Sequence, residues 1–153
     1  MASATQTKFN MNWTSIFVHM IFSTGNRTPF LKTPELRREV FTHIKENARK
    51  KDIWLDSVNG YDDHAHCLIK LDKDQSISQV AQLIKGESSY WINKNKLTKG
   101  HFNWQDDYWA VSVGNDDLGT LRKYIFSQEE HHRKYKFEEE LRELLEKYQD
   151  VLG

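Results

Sequence analysis

The chain has 153 residues, a length that suits one domain, and its 38% hydrophobic and 12% aromatic content can build a packed core. No apolar run approaches the roughly 20 residues of a membrane-spanning helix, and the lone Cys67 cannot close an internal disulfide, so transmembrane, collagen-like and disulfide-stapled classes are excluded and a reducing cytoplasm is expected. Twenty-two cations balance twenty-two acids, so the overall charge says nothing for nucleic acid; yet residues 32–51 carry net +4 and residues 129–150 net −3, which read first as solvated helix faces.

Residues 1–10 are polar, lack the apolar stretch of a secretory signal, and read as a flexible leader before a single domain over 11–153. Trp13 to Ser23 (WTSIFVHMIFS) is rich in β-branched and aromatic residues and stops at Gly25-Asn26, as a strand does. Thr33-Pro34-Glu35 then supplies a capping hydroxyl, a first-turn proline and an acid near the positive end of the dipole. Leu36, Val40, Ile44 and Ala48 follow at four-residue spacing, so a helix is predicted to about Lys51. Ile53 to Val58 is a short strand closed by Asn59-Gly60, and His64 to Leu71 is another. Ser76 can cap a second helix with Ile77, Val80, Ala81, Ile84, Ser88 and Trp91 on its face; a polar connection follows from Lys94 to Gly100. Tyr108 to Val113 alternates as a strand. Asp117 to Gln128 and Phe137 to Leu152 read as helices, the last with Leu141, Leu144, Leu145 and Tyr148 along one side. The expected class is α+β: a ferredoxin-like (RRM-like) βαββαβ antiparallel sheet with additional C-terminal helices, its second face left free for a site. This arrangement hosts many activities, so function must come from the residues.

Alternation along a strand sends His64 and His66 to the same face, a two-point grip for a divalent metal, and turns Cys67 to the other face as a core residue. The pair alone is a weak signal. On a helix, Tyr124 and Gln128 lie four apart and share a face. A phenol can act as a nucleophile and hold a covalent intermediate. A glutamine carbonyl is a hard ligand suited to Mg²⁺ or Mn²⁺. Two imidazoles and one amide oxygen leave positions open for phosphate oxygens.

Three segments together carry a resemblance: Tyr61-Asp62-Asp63-His64-Ala65-His66 followed by Leu68-Ile69, Trp104 to Tyr108 running into Val111-Ser112-Val113, and Tyr124 to Gln128 followed by Glu129-Glu130-His131-His132. In their order along the chain they resemble the single-tyrosine transposases of the HUH nuclease superfamily, enzymes that move insertion sequences as single-stranded DNA. The resemblance spans about residues 12–145. It implies that His64, His66 and Gln128 bind Mg²⁺ or Mn²⁺, and that Tyr124 attacks a DNA phosphate to give a 5′-phosphotyrosine and a free 3′-hydroxyl. It also implies a homodimer, single-stranded DNA hairpins at the element ends as substrate, no membrane partner, and a cytoplasmic, nucleoid-associated setting in a bacterium or archaeon. Ala65 departs from the bulky residue usual between the histidines, and Gln128 favours the insertion-sequence branch over relatives of repeated extragenic palindromes.

Asp62 or Asp63 could orient a ligand histidine through its second ring nitrogen. Arg27, Lys85, Arg122 and Lys123 are the cations nearest the implied site and the expected phosphate contacts, each weighed against ordinary solvated charge. Trp13, Trp104 and Trp109 could stack bases, although a packed aromatic is the expectation for each, and Trp91 falls on an apolar helical face. Competing readings are a non-catalytic or inactivated nucleic-acid module on the same sheet and a rolling-circle initiator or relaxase. The Lys/Arg-Gly-Phe/Tyr pattern of RNA-binding sheets is absent, and Tyr135 is the one near second tyrosine.

Overall fold

The computed structural model describes residues 12–133 and 136–149, with no account of the side chains of Tyr148 and Gln149; the polar leader and the end of the last predicted helix lie outside this range. Four strands form one antiparallel sheet in the order β2-β3-β1-β4: β1 (Ile16–Ser23), β2 (Trp54–Gly60), β3 (His64–Leu71) and β4 (Trp109–Val113). Helix α1 (Pro34–Lys50) joins β1 to β2, and α2 (Ile77–Lys94) joins β3 to β4. This is the expected split βαβ topology. Thr33 Oγ1 accepts the Leu36 amide at the start of α1, and Ser76 and Gln79 form a reciprocal capping box on α2, so both predicted helix starts are where the capping residues put them.

The core lies between one sheet face and these two helices. Met20, Phe22, Ala65, Cys67 and Ile69 point into it and meet Val40, Phe41, Ile44, Val80, Ala81 and Ile84. Ala65 is wholly buried there, and Phe22 lies opposite it in register. Trp104 joins the same cluster, 5% exposed, with its indole N–H donating to Ser88 Oγ at 2.9 Å, so it is a packed aromatic. Trp91 is partly buried and stacks on His43.

The second sheet face is not free, contrary to expectation. Three C-terminal helices follow β4: α3 (Leu118–Phe126), α4 (Gln128–His132) and α5 (Phe137–Gln149). They cover the face that carries His64 and His66, which are both fully buried. Two further predictions need correction. Asn59-Gly60 does not close β2 but belongs to it, pairing with His66 and Ala65; the reversal is made by Tyr61 to Asp63, where the Tyr61 amide donates to the His64 carbonyl. The predicted helix over 117–128 is broken at Ser127, whose φ of −95° and ψ of 21° leave helical geometry. The Asn59 side-chain amide donates to the carbonyls of Ile125 and Phe126 at 3.0 and 3.1 Å, taking acceptors that a continuing helix would offer to its next turn.

The last helix docks through part of its predicted apolar stripe, with Leu141 and Leu144 half-buried on the docked side. Phe137 and Glu140 are its buried residues among those described, while Leu145 is 48% exposed. Three-residue spacing puts Phe137 and Glu140 on one face, and ring stacking of Phe137 on His64 selects that face for docking.

Candidate active site

β3 delivers both histidines to one buried locus, and a partner at Nδ1 holds each ring. His64 Nδ1 donates to Asp63 Oδ1 at 2.8 Å, which selects Asp63 rather than Asp62 for this role. His66 Nδ1 lies 2.9 Å from Nε2 of His19, a β1 residue diagonal to it across the ladder. Both imidazoles therefore present Nε2 to the same space. Fixing one ring nitrogen so that the other faces inward is how proteins orient metal-binding histidines.

The C-terminal helices fill the opposite wall. Gln128 opens α4, wholly buried, with Oε1 3.1 Å from His64 Nε2 and Nε2 donating to Glu140 Oε2 at 3.1 Å. The Tyr124 ring meets His66 edge-on at 5.6 Å between centroids, and its hydroxyl donates to Glu140 Oε2. Tyr124 and Gln128 thus converge as expected, although through two helices joined at Ser127 rather than along one. Glu140 Oε1 lies 3.2 Å from His66 Nε2, 3.4 Å from His64 Nε2 and 3.2 Å from His132 Nε2.

The charges explain one another. Burial pushes the Glu140 carboxyl upward, but hydrogen bonds and charge from His64 and His66 outweigh it and bring it down to about 2. Burial pulls His64 down, yet hydrogen bonds from Asp63 and Glu140 leave it above the ordinary imidazole value. For His66 burial wins, and its pKa is lowered. Burial, then the neighbouring His66, lowers His19 to about 3, so His19 is neutral at pH 7 and can accept the His66 Nδ1 proton. The donor set of two imidazole nitrogens, an amide oxygen and a carboxylate suits a hard divalent cation, and the ligand atoms of His64, His66 and Glu140 lie within 4.8 Å of one another.

The four cations expected at phosphates lie on different surfaces and mostly have partners. Arg27 pairs with Glu138 at 2.7 Å. Lys85 donates to the carbonyls of Asp106 and Asp107 in a separate cleft beside Trp104 and Tyr108. Arg122 grips Asp56 with two hydrogen bonds, and exposed Lys123 lines the same groove between α1 and β2. Arg37, in the basic run read as solvated, is 5% exposed, bonded to the Leu31 carbonyl and Glu129 and seated over the Tyr61 ring. Trp13 is exposed, and Trp109 packs edge-on against His19.

Sequence reasoning missed His19 and Glu140. His19 sits inside an apolar strand, where its even spacing from Ile21 and Phe17 was the available signal. Glu140 is one of three consecutive acids, and nothing local separates it from Glu138 and Glu139.

Among solved structures, the chain is similar to the crystal structure of a transposase candidate from Deinococcus radiodurans R1, with TM-score 0.62, 19% identity and coverage of 80% of this chain and 98% of that one. It is also similar to a REP-associated tyrosine transposase bound to a REP hairpin, with TM-score 0.56, 17% identity and coverage of 83% and 74%. At these identities the likeness is one of fold. No curated protein matches the chain. The family described as "Transposase IS200 like" matches residues 12–128, a span that holds both histidines, the tyrosine and the glutamine of this buried cluster, and the chain belongs to that family.

Proposed function

We propose that this transposase cuts and rejoins single-stranded DNA at hairpin ends of its element through a 5′-phosphotyrosine on Tyr124. The observation that carries the reading is the convergence, within one chain, of the Tyr124 phenol and the Gln128 amide on the His64–His66 pair. Tyr124 gives up its phenolic proton, for which Glu140 Oε2 is the neighbouring acceptor, and attacks the scissile phosphorus. A phenolic O–P bond forms, the bond to the 3′ oxygen breaks, and that oxygen takes up one proton to leave as a 3′-hydroxyl, so one proton is lost and one gained. Because the phosphotyrosine keeps the energy of the phosphodiester, a second 3′-hydroxyl can reverse the step and reseal the strand. His64, His66 and Gln128 would hold Mg²⁺ or Mn²⁺, which when bound polarises the phosphate and favours the phenolate. Asp63 and His19 keep the two imidazoles turned inward, and Asn59 seats the end of α3 that carries the tyrosine.

In this reading the tyrosine serves its own chain's histidines, substrate contacts draw on Arg27, Lys85, Arg122 and Lys123, and the enzyme works as a homodimer in the cytoplasm. Hairpin recognition is supported by the fold shared with a hairpin-bound tyrosine transposase.

The test is covalent capture. Purified protein is mixed with labelled hairpin DNA from the flanks of its own gene, with Mn²⁺ or EDTA, and run on denaturing gels. A manganese-dependent adduct is expected that Tyr124→Phe abolishes while hairpin binding persists. Tight hairpin binding with no adduct would favour the inactivated or non-catalytic reading instead.

A further inference from the structure

Helix α5 lies beyond the segment shared with the family, yet it places a carboxylate at the centre of the site. Glu140 is 2% exposed, whereas its neighbour Glu138 is exposed and pairs with Arg27. A buried carboxylate is costly unless several groups compensate it. Here those groups are themselves metal-binding in type. Oε1 stands 3.2 and 3.4 Å from Nε2 of His66 and His64, and Gln128 Oε1 stands 3.1 Å from His64 Nε2. Donor atoms that share one cation at about 2.0–2.2 Å are separated by about 3 Å, which is the spacing seen here.

Charge points the same way. An imidazole must be neutral to ligate a cation, so two imidazoles and an amide bring no negative charge to a divalent ion, whereas a carboxylate brings one. Phe137, stacked on His64 at 3.9 Å between centroids, holds the helix so that residue 140 meets the pair.

We propose that Glu140 is a fourth protein ligand of the divalent-cation site, a carboxylate contributed by the C-terminal helix to the set formed by His64, His66 and Gln128. The proposal rests on the reading of that set as a metal site. It makes α5 a component of the site and ties its docking to metal loading. Through Oε2, which accepts the Tyr124 hydroxyl, the same side chain also holds the nucleophile beside the cation position.

The experiment titrates Mn²⁺ alone into full-length protein, without DNA, and counts free Mn²⁺ by electron paramagnetic resonance. Wild type, Glu140→Gln, Glu140→Ala and His66→Ala are compared. The expected result is at least ~10-fold weaker binding in all three variants, in line with losses of metal-site groups. Unchanged or tighter binding in both Glu140 variants, with His66→Ala weakened, would overturn the ligand assignment and leave the histidine site standing. Unchanged binding in His66→Ala would remove the metal site and the Glu140 proposal together. A second measurement needs no variant: Fe²⁺ with ascorbate cuts or oxidises the chain next to a bound metal. Modification near residues 64–66, 128 and 140 is expected in wild type; modification at the first two without the third would overturn the proposal.

Discussion

His19 shows how one side chain outside the family motif can govern the site. Its Nε2 lies 2.9 Å from His66 Nδ1, and its burial keeps it neutral well below pH 7. A neutral ring can accept the Nδ1 proton and so leave His66 Nε2 facing Glu140, free to serve as a ligand under the proposed function. His19→Phe keeps a ring packed edge-on against Trp109 but removes the acceptor. Manganese affinity is expected to fall by about 10–100-fold, the range found when such outer partners are lost, and the His66 Nδ1–H left without its acceptor is expected to lower stability by about 1–3 kcal/mol. Wild-type affinity in this variant would reduce His19 to a packing role. Arg37 teaches the opposite lesson. It belongs to a basic run that reads as a solvated face but is buried against Glu129 and the Leu31 carbonyl, so its charge holds α1 to α4.

At the level of elements, the turn from β2 to β3 decides whether the histidines are aimed correctly. Gly60 is the last residue of β2, and a methyl group there would strike the His64 carbonyl oxygen and sit 2.9 Å from the Ala65 Cα. Both atoms are backbone and cannot move aside without shifting His64. Gly60→Ala is therefore expected to destabilise the fold by about 1–3 kcal/mol, the usual range for forced overpacking. Gly86, inside α2, meets nothing within 4 Å, so Gly86→Ala is expected to stabilise by about 0.4–1 kcal/mol through the less entropic unfolded chain and better helix propensity. Urea unfolding of the two variants measures both, and equal shifts would refute the steric account. The same β2 strand supplies Asn59, so the residues that shape the histidine strand also seat the tyrosine helix.

For the molecule as a whole, the two faces of one sheet separate the apolar core from the buried polar cluster. Met20, Phe22, Ala65, Cys67 and Ile69 pack the core, while His19, His64 and His66 alternate to the other side beneath α3 to α5. Cys67 reports on the first face. It is fully buried, and burial pushes its thiol up to about 12, so the thiolate is scarce at pH 8 as well as inaccessible. Iodoacetamide at pH 8 is expected to leave the native protein unlabelled and to label it readily in urea. Rapid labelling under native conditions would mean that the sheet and its two covering helices separate in the folded protein.

The order of strands and helices, the starts of α1 and α2, and the partition of His64 and His66 from Cys67 were all legible in the sequence. Each depends on local rules: alternation along a strand, helical spacing, or a cap satisfying an amide three residues on. The break at Ser127 was not legible, because it involves Asn59, which is distant in sequence. Nor was the choice of Glu140 among three consecutive acids, since its contacts to His66 and His64 span 74 and 76 positions. Which acid is buried is decided by the face on which α5 docks, and docking follows from Phe137 finding the His64 ring. The sequence by itself determined the scaffold and the paired histidines, whereas only the tertiary structure decided which charges close the site, because burial and pairing depend on groups that the fold alone brings together.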